Sequence, residues 1–411
     1  MSDYYDNLET RTSEQREADL FACLADQIDH AKSSAPAFAE TLHGIDGREV
    51  TDRAALAKLP LLRKTELIER QQGQPVFGGL TGVEPPELCQ IFASPGPIFE
   101  PGSTRPDFWR FARALYAAGF RSGDIIHNCF SYHFTPAGMM FESGARALGC
   151  ATVPAGVGQT ELQVQVMGHV RPRGYVGTPS FLKLILDKAD ELGSDLSCLE
   201  TALVSGEYLP PSLREGMAQR GISVRQCYAT ADLGLIAYES EALEGMIVDE
   251  GIVLEIVRPG SGDPVPEGEV GEVVVTSLNP DYPLIRFATG DLSAILPGPS
   301  PCGRTNLRIK GWLGRADQTT KVRGMFVHPQ QVDAILKRHP EIGRGRLVVT
   351  RQNDQDHMLL RIESAVAADG LASALRDSIR ELTKLRGEVE FVAPGSLPND
   401  GKVIDDQREI E

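Results

Sequence analysis

Between about residues 105 and 235, helical spacing and short apolar runs take turns, and that alternation restricts the fold more than any other feature of the chain. FWRFARALYAAGF (108–120) sets apolar residues three and four apart, as one face of a helix requires. DIIHNCF (124–130) and CATVPAG (150–156) are short runs bounded by turn residues. Strands that alternate with helices pair in parallel, and parallel sheets need both faces covered. An α/β domain with parallel sheets is the expectation. From about 246 to 295 the period changes. IVDEGIVLEIV (247–257), GEVGEVVVTSL (268–278) and LIRFATGDLSAIL (284–296) are β-rich runs separated by Gly and Pro, which suits an antiparallel sheet or a small barrel.

The two ends read differently. Leu20, Cys23, Leu24 and Ile28 share a helical face in the first ninety residues, which continue into a proline-bounded stretch, KLPLLRKTELIERQ (58–71). ASPGPIFEPGS (93–103) carries too many breakers for a helix or a central strand. The last hundred residues contain two amphipathic helix candidates, VHPQQVDAILKRH and GLASALRDSIRELTKL, and two strand candidates, GRLVVTRQ and HMLLRIES. They form a separate small α+β domain, with the boundary near GRADQ (314–318).

Charge and composition narrow the function. A net charge of −16 argues against nucleic acid or an anionic membrane as partner, since each needs a basic footprint. The first twenty residues lack the apolar core of a signal peptide, and no apolar run approaches a membrane span. Seven scattered cysteines with no CxxC pair suit reduced thiols, so a cytoplasmic location is expected.

Three stretches carry chemistry. In PLIRFATGDLS, Asp291 follows a Thr-Gly turn directly after a strand, where a carboxylate can accept both hydroxyls of a ribose. GRADQTTKVRG (314–324) gathers arginines suited to phosphate or diol groups between glycines that allow a hinge. In SLPNDGKVIDD, Lys402 follows a strong turn signal that could present its charge to a reacting phosphate. Each alone is equally at home on an ordinary surface loop. No GxSxG elbow, Walker loop or GxGxxG in a strand-turn-helix context points to a hydrolase, a P-loop NTPase or a dehydrogenase.

Their order is more specific. ASPG (93–96), YATADLG (228–234), ATGD (288–291), GRADQ (314–318) and GK (401–402) resemble, in sequence, the motifs of the adenylate-forming superfamily. GTPSFLK (177–183), ATVPAGVGQTELQVQ (151–165), YPLIRFATGD (282–291), PCGRT (301–305) and VRGMFVHPQQVD (322–333) are similar to its phenylacetate-CoA ligase branch. The resemblance implies a large N-terminal domain, 1–314, with parallel sheets and a small β-barrel-like subdomain. It implies a small mobile C-terminal domain, 315–411, with its hinge at Asp317. It also implies an acid-thiol ligase that forms an acyl-adenylate from ATP with Mg²⁺ and passes the acyl group to CoA or a carrier-protein pantetheine. A homodimer is the family expectation.

Residue by residue, the resemblance assigns Ser94 and Gly96 to the phosphate loop. Ser205, Gly206, Glu207, Tyr228 and Ala229 line the nucleotide, Asp291 and Arg315 hold the ribose or phosphate, and Asp232 supports Mg²⁺. Lys402 contacts the charge that develops in adenylation, and Arg323 and Gly324 meet CoA. Phe130, Tyr132, His133 and Gly206 form the acyl pocket, whose aromatic walls suit an aryl acid.

Two departures matter. Where the family loop reads roughly SSGTTGKPT, this chain has SPGPIFEPG, with Glu100 in place of the lysine; a carboxylate there repels a triphosphate. A full ligase with a different phosphate clamp, an enzyme of the thioester half only and a non-catalytic binding protein all stay open. The retained Asp291, hinge and Lys402 favour the first. The positions of the cysteine/histidine cluster found in some relatives hold Ser240, Met246 or Ile247, and Ser300, leaving Cys302 alone, so no structural zinc is expected.

Overall fold

The computed structural model describes residues 3–408 except 75, 95–97, 317–319, 324, 353–354, 365–368, 399 and 401. It divides into two compact units. The first comprises Met1–Leu254, Val275–Thr289 and Leu296–Gly311; the second comprises Glu255–Val274, Gly290–Ile295 and Trp312–Glu411.

A nine-stranded sheet organises the first unit. Five strands are parallel, in the spatial order Ala151–Pro154, Ile125–Asn128, Gly174–Gly177, Thr201–Val204 and Ser223–Thr230. The sheet continues antiparallel through Gly234–Tyr238, Met246–Val248 and Arg308–Ile309, with Ile295–Leu296 at its edge. The five parallel strands are the expected α/β arrangement, extended on one side into a mixed sheet. A hairpin at 231–233 reverses the chain, and the neighbours from there to Arg308–Ile309 pair antiparallel. Thr201–Val204 is buried throughout, as a strand covered on both faces must be.

Helices cover this sheet, and their ends are written locally. In Pro179–Leu192 the Thr178 hydroxyl caps the start, proline occupies the first turn, and Gly193 at φ +65° ends it. Its Leu182, Ile185 and Ala189 pack with Met167, Tyr175 and Val204 in one core. Near the N-terminus, Ser13–Ser34 is capped by Thr12 and buries Leu20, Leu24 and Ile28.

The barrel-like element expected after 246 is an open sheet of four strands, ordered Leu62–Arg63, Phe287–Ser293, Gly271–Ser277, Ile252–Val257. Its end strand comes from the proline-bounded stretch and pairs in parallel with the Asp291 strand, Leu62 against Phe287 and Arg63 against Ala288. A period-2 pattern marks strands but not their partners, so this pairing was invisible locally. The Gly/Pro-rich segment forms its own two-stranded hairpin, Gln90–Ser94 with Ile98–Gly102.

In the second unit, Gly345–Gln352 is central to a four-stranded sheet. It pairs antiparallel with Gln355–Glu363 and parallel with Ile404–Asp406, while Gln355–Glu363 takes Glu388–Val392 in parallel. Helices Pro329–Lys337 and Asp369–Thr383 bury Val332, Ile335, Leu375 and Ile379 against Leu347, Val349 and Leu360. Among the described residues no helix is long and apolar enough to cross a membrane.

Candidate active site

In the first unit, several residues of the expected site lie at or just after the C-terminal ends of the parallel strands, where open α/β sheets place ligands. Ser205 follows the Thr201–Val204 strand and donates its hydroxyl to the Cys227 carbonyl at 2.8 Å. Gly206 next to it has φ +81°, a left-handed turn that favours glycine. A Cβ at Gly206 would stand 4.0 Å from the Phe130 ring and 3.8 Å from Thr178, so the turn faces one wall of the expected acyl pocket. Glu207 is exposed and accepts weakly from the Ser180 backbone at 3.4 Å.

Tyr228 and Ala229 lie on the Ser223–Thr230 strand, at a register irregularity where Tyr228 faces Ala237 and Ala229 faces Leu235. The Tyr228 hydroxyl donates to Thr289 Oγ1 at 3.4 Å, tying this strand to the residue two before Asp291.

The pocket aromatics differ in setting. Phe130 is buried and stacks on Phe141 at 4.4 Å, part wall and part core. The Tyr132 hydroxyl accepts from Asn128 at 2.8 Å and donates to Glu142 at 2.9 Å. Burial and the Glu142 charge push its pKa up. His133 is exposed, its ring edge-on to Phe134 at 4.5 Å.

In the second unit, Asp291 and Arg315 meet. Arg315 Nη1 donates to Asp291 Oδ1 at 2.8 Å, and their backbones form an antiparallel bridge. The Trp312 indole N–H reaches the same oxygen at 3.1 Å. Trp312 carried no signal in the sequence beyond its place before the Gly-Arg turn. Lys402 is half exposed and pairs with Asp405 at 3.0 Å. Arg323, exposed at φ +48°, is held by Asp356 through its backbone N–H and Nε. Gly96, Asp317 and Gly324 lie outside the described residues.

Asp232 shows what sequence reasoning missed. Its side chain is fully buried, and Lys64 Nζ sits 2.7 Å from Oδ2. Asp232 Oδ1 has no hydrogen-bond partner among the described residues, nor has the buried Tyr282 hydroxyl. Mg²⁺ bound for phosphate chemistry typically takes one or two carboxylates and keeps the rest of its shell for phosphate and water. A buried carboxylate oxygen without a partner fits that need. Among the described residues no three His, Cys, Asp or Glu side chains come together as a metal cluster. Near the former cysteine positions, the Ser300 hydroxyl lies 3.1 Å from the Cys302 sulfur.

Glu100 is held differently from an exposed loop carboxylate. It is buried in the hairpin and accepts from the Ser94 hydroxyl and, at 3.3 Å, from the Ser94 backbone N–H. Gln71 clamps the same strand, donating to the Phe99 carbonyl at 2.9 Å and accepting from its N–H at 2.8 Å. Burial pushes the Glu100 carboxyl up to about 7; Ser94 and Lys64 oppose this and Asp232 adds to it. An acid whose pKa is raised in the fold stabilises it fully below its unfolded value, and that contribution is lost as pH rises through about 7. Glu100→Gln is therefore expected to be more stable than wild type at pH 8, by roughly 2–3 kcal/mol at most, and close to it at pH 5. Urea unfolding at the two pH values checks this; equal differences at both would contradict it. Asp107, also pushed to about 7 by burial, leaves part of the pH dependence in place.

The AMP-binding enzyme family model matches residues 108–279, and the AMP-binding enzyme C-terminal domain model matches 324–408. A phenylacetate-coenzyme A ligase of Thermus thermophilus is 30% identical, over 86% of this chain and 87% of the relative. The Escherichia coli K12 phenylacetate-coenzyme A ligase is 28% identical over 97% and 95%. The crystal structure of 2-hydroxyisobutyryl-CoA ligase in complex with 2-HIB-AMP and CoA superposes with a TM-score of 0.72 at 25% identity, covering 99% of this chain and 93% of that one. With two family models in sequence order and a relative of this identity along nearly its whole length, the chain belongs to the adenylate-forming AMP-binding enzymes, in the branch of the phenylacetate-CoA ligases.

Proposed function

We propose that the protein is an AMP-forming acid–CoA ligase that activates a small carboxylic acid, aryl or related, and transfers it to CoA. In the first half, a carboxylate oxygen attacks the α-phosphorus of ATP; the new O–P bond forms as the bond to pyrophosphate breaks. In the second, the CoA thiol gives up its proton, its sulfur attacks the acyl carbon, and the bond to AMP breaks. The observation that carries this reading is the Asp291–Arg315 pair, 2.8 Å apart, with Asp291 inside the strand Phe287–Ser293. An ionised carboxylate only accepts hydrogen bonds, the chemistry that the two hydroxyls of a ribose diol require.

Tyr228, Ala229 and the Ser205–Glu207 turn would flank the adenine. Phe130, Tyr132, His133 and Gly206 would receive the acyl group, and Ser94 and Gly96 belong to the segment nearest the phosphates. Mg²⁺ enters with ATP as part of the substrate; Asp232 would hold it through Oδ1, and when bound it offsets charge on the phosphates. Lys402 would contact the charge developing in adenylation. Residues 1–314 would act as the nucleotide-binding domain and 315–411 as a mobile domain hinged at Asp317, with Arg323 and Gly324 turned to CoA in the thioester half. We assign the protein to the cytoplasm, with CoA or a carrier-protein pantetheine as acceptor and a homodimer as its assembly.

The test is pyrophosphate release from Mg-ATP and CoA across a panel of carboxylic acids, phenylacetate included. Acid-dependent release with thioester formation is expected. A protein that binds AMP but releases no pyrophosphate with any acid would instead be an enzyme of the thioester half or a non-catalytic binding protein, the readings that Glu100 in the phosphate segment favours.

A further inference from the structure

We propose that Lys64 binds the β- and γ-phosphates of ATP and supplies the cation that the hairpin Gln90–Gly102 lacks. This rests on the ligase reading and adds to it a phosphate-binding residue from a different element.

The hairpin and its tip contain no basic side chain: from Gln90 to Thr104 the only charged residue is Glu100. Arg105, the next cation along the chain, is engaged by Asp281 at 2.8 Å. ATP carries its charge on the β- and γ-phosphates, so a site that adenylates an acid needs a cation for them. Lys64 is placed to provide it. It directly follows the strand Leu62–Arg63, whose register with Phe287 and Ala288 stops one residue short of Thr289. Thr289 is the residue that the Tyr228 hydroxyl meets, and Asp291 is two residues further along.

Lys64 is also matched to Asp232 in a way that leaves it free to exchange partners. Its side chain is 27% exposed while that of Asp232 is wholly buried, so the ammonium lies where solvent and ligand can reach it. Two buried polar atoms beside this pair, Asp232 Oδ1 and the Tyr282 hydroxyl, have no hydrogen-bond partner among the described residues. Buried polar atoms are ordinarily paired, and an exception marks a place for a ligand, ion or water. Burial and the shared field of Asp232 and Glu100 raise the Tyr282 hydroxyl, consistent with all three groups facing one another. One lysine thus stands among two carboxylates. Mg-ATP would give Asp232 a metal and Lys64 the phosphates, so neither carboxylate faces the triphosphate alone.

A lysine that merely neutralises Asp232 would look the same in this structure, and the experiment separates the two. Wild type, Lys64→Ala and Lys64→Arg are titrated calorimetrically with Mg-ATP and, separately, with AMP. The thioester half is assayed from preformed phenylacetyl-adenylate and CoA. Expected are a loss of about 10- to 100-fold in Mg-ATP affinity for the alanine variant, AMP affinity and thioester formation within about twofold of wild type, and substantial recovery in the arginine variant. Unchanged Mg-ATP affinity in Lys64→Ala overturns the proposal, as does an equal fall in ATP and AMP affinity, which would mean that Lys64 only holds Asp232. If wild type itself binds neither nucleotide, the ligase reading falls and this proposal with it. If wild type releases pyrophosphate and the alanine variant does so equally well, only the assignment of Lys64 falls.

Discussion

Lys402→Ala is expected to slow adenylation by about 100- to 1,000-fold, the usual loss when one preorganised charge aimed at a developing anion is removed. The same change should leave folding and AMP binding nearly intact. Lys402 is half exposed and its structural partner is Asp405, 3.0 Å away, with which it makes a surface ion pair. Such pairs contribute roughly 0–1 kcal/mol, so a large kinetic defect could not be blamed on unfolding. Thioester formation from a preformed acyl-adenylate should also survive, because the phosphoryl transfer that Lys402 serves is already complete. Acid-dependent pyrophosphate exchange, run beside AMP titration, checks both halves of the expectation. Adenylation within about threefold of wild type would remove Lys402 from the mechanism, the threshold lying far below the loss expected from such a charge.

Glu9→Ala is expected to cost about 3–5 kcal/mol of stability without touching the chemistry directly. Glu9 is 1% exposed and Arg304 2%. Arg304 Nε donates to Glu9 Oε1 at 2.6 Å, the Tyr238 hydroxyl donates to the same oxygen at 2.8 Å, and the Tyr5 backbone N–H donates to Oε2 at 2.5 Å. Cutting the side chain back leaves a guanidinium and a phenol buried beside a missing acceptor, which is the costly way to break a buried pair. Glu9→Gln keeps an acceptor and should cost less. Urea unfolding followed by far-UV circular dichroism gives the difference, and the double variant with Arg304→Met isolates the coupling. If the alanine variant lost less than about 1 kcal/mol, the network would be solvated and not buried as described.

These two expectations sit at opposite ends of what could be read in advance. Lys402 follows Asn-Asp-Gly, a turn signal in the sequence, in motif order with Asp291 and Arg315, so its candidacy was visible in the letters. Glu9 lies in a polar, acidic opening segment, read in advance only as lacking the apolar core of a signal peptide. Nothing in its spacing announces burial, because its partner Arg304 is 295 residues away. The Gly/Pro-rich segment falls between the two. Its breakers correctly excluded a helix and a central strand, yet they allow a hairpin that pairs only with itself. Glu100 was legible as a misfit in a phosphate loop, but not as a buried carboxyl held by Ser94.

By itself the sequence determined the local elements and the order of the chemistry. Strands such as Ile125–Asn128 and Gly345–Gln352, and the helices Phe111–Ala117 and Asp369–Thr383, fall within runs whose periodicity marks them. Periodicity works there because side-chain direction repeats every 3.6 or 2 residues, whatever lies across the core. Only the tertiary structure decided the pairings. A two-residue strand from the proline-bounded stretch joins the Asp291 strand, Lys64 reaches Asp232 across 168 residues of chain, and of the sheet or small barrel expected after 246 it is a sheet that forms. Each of those contacts depends on closing a long loop, and the Lys64–Asp232 contact also on burying a charge beside its counterpart. That free energy belongs to the assembled core, and no stretch of neighbouring residues carries it.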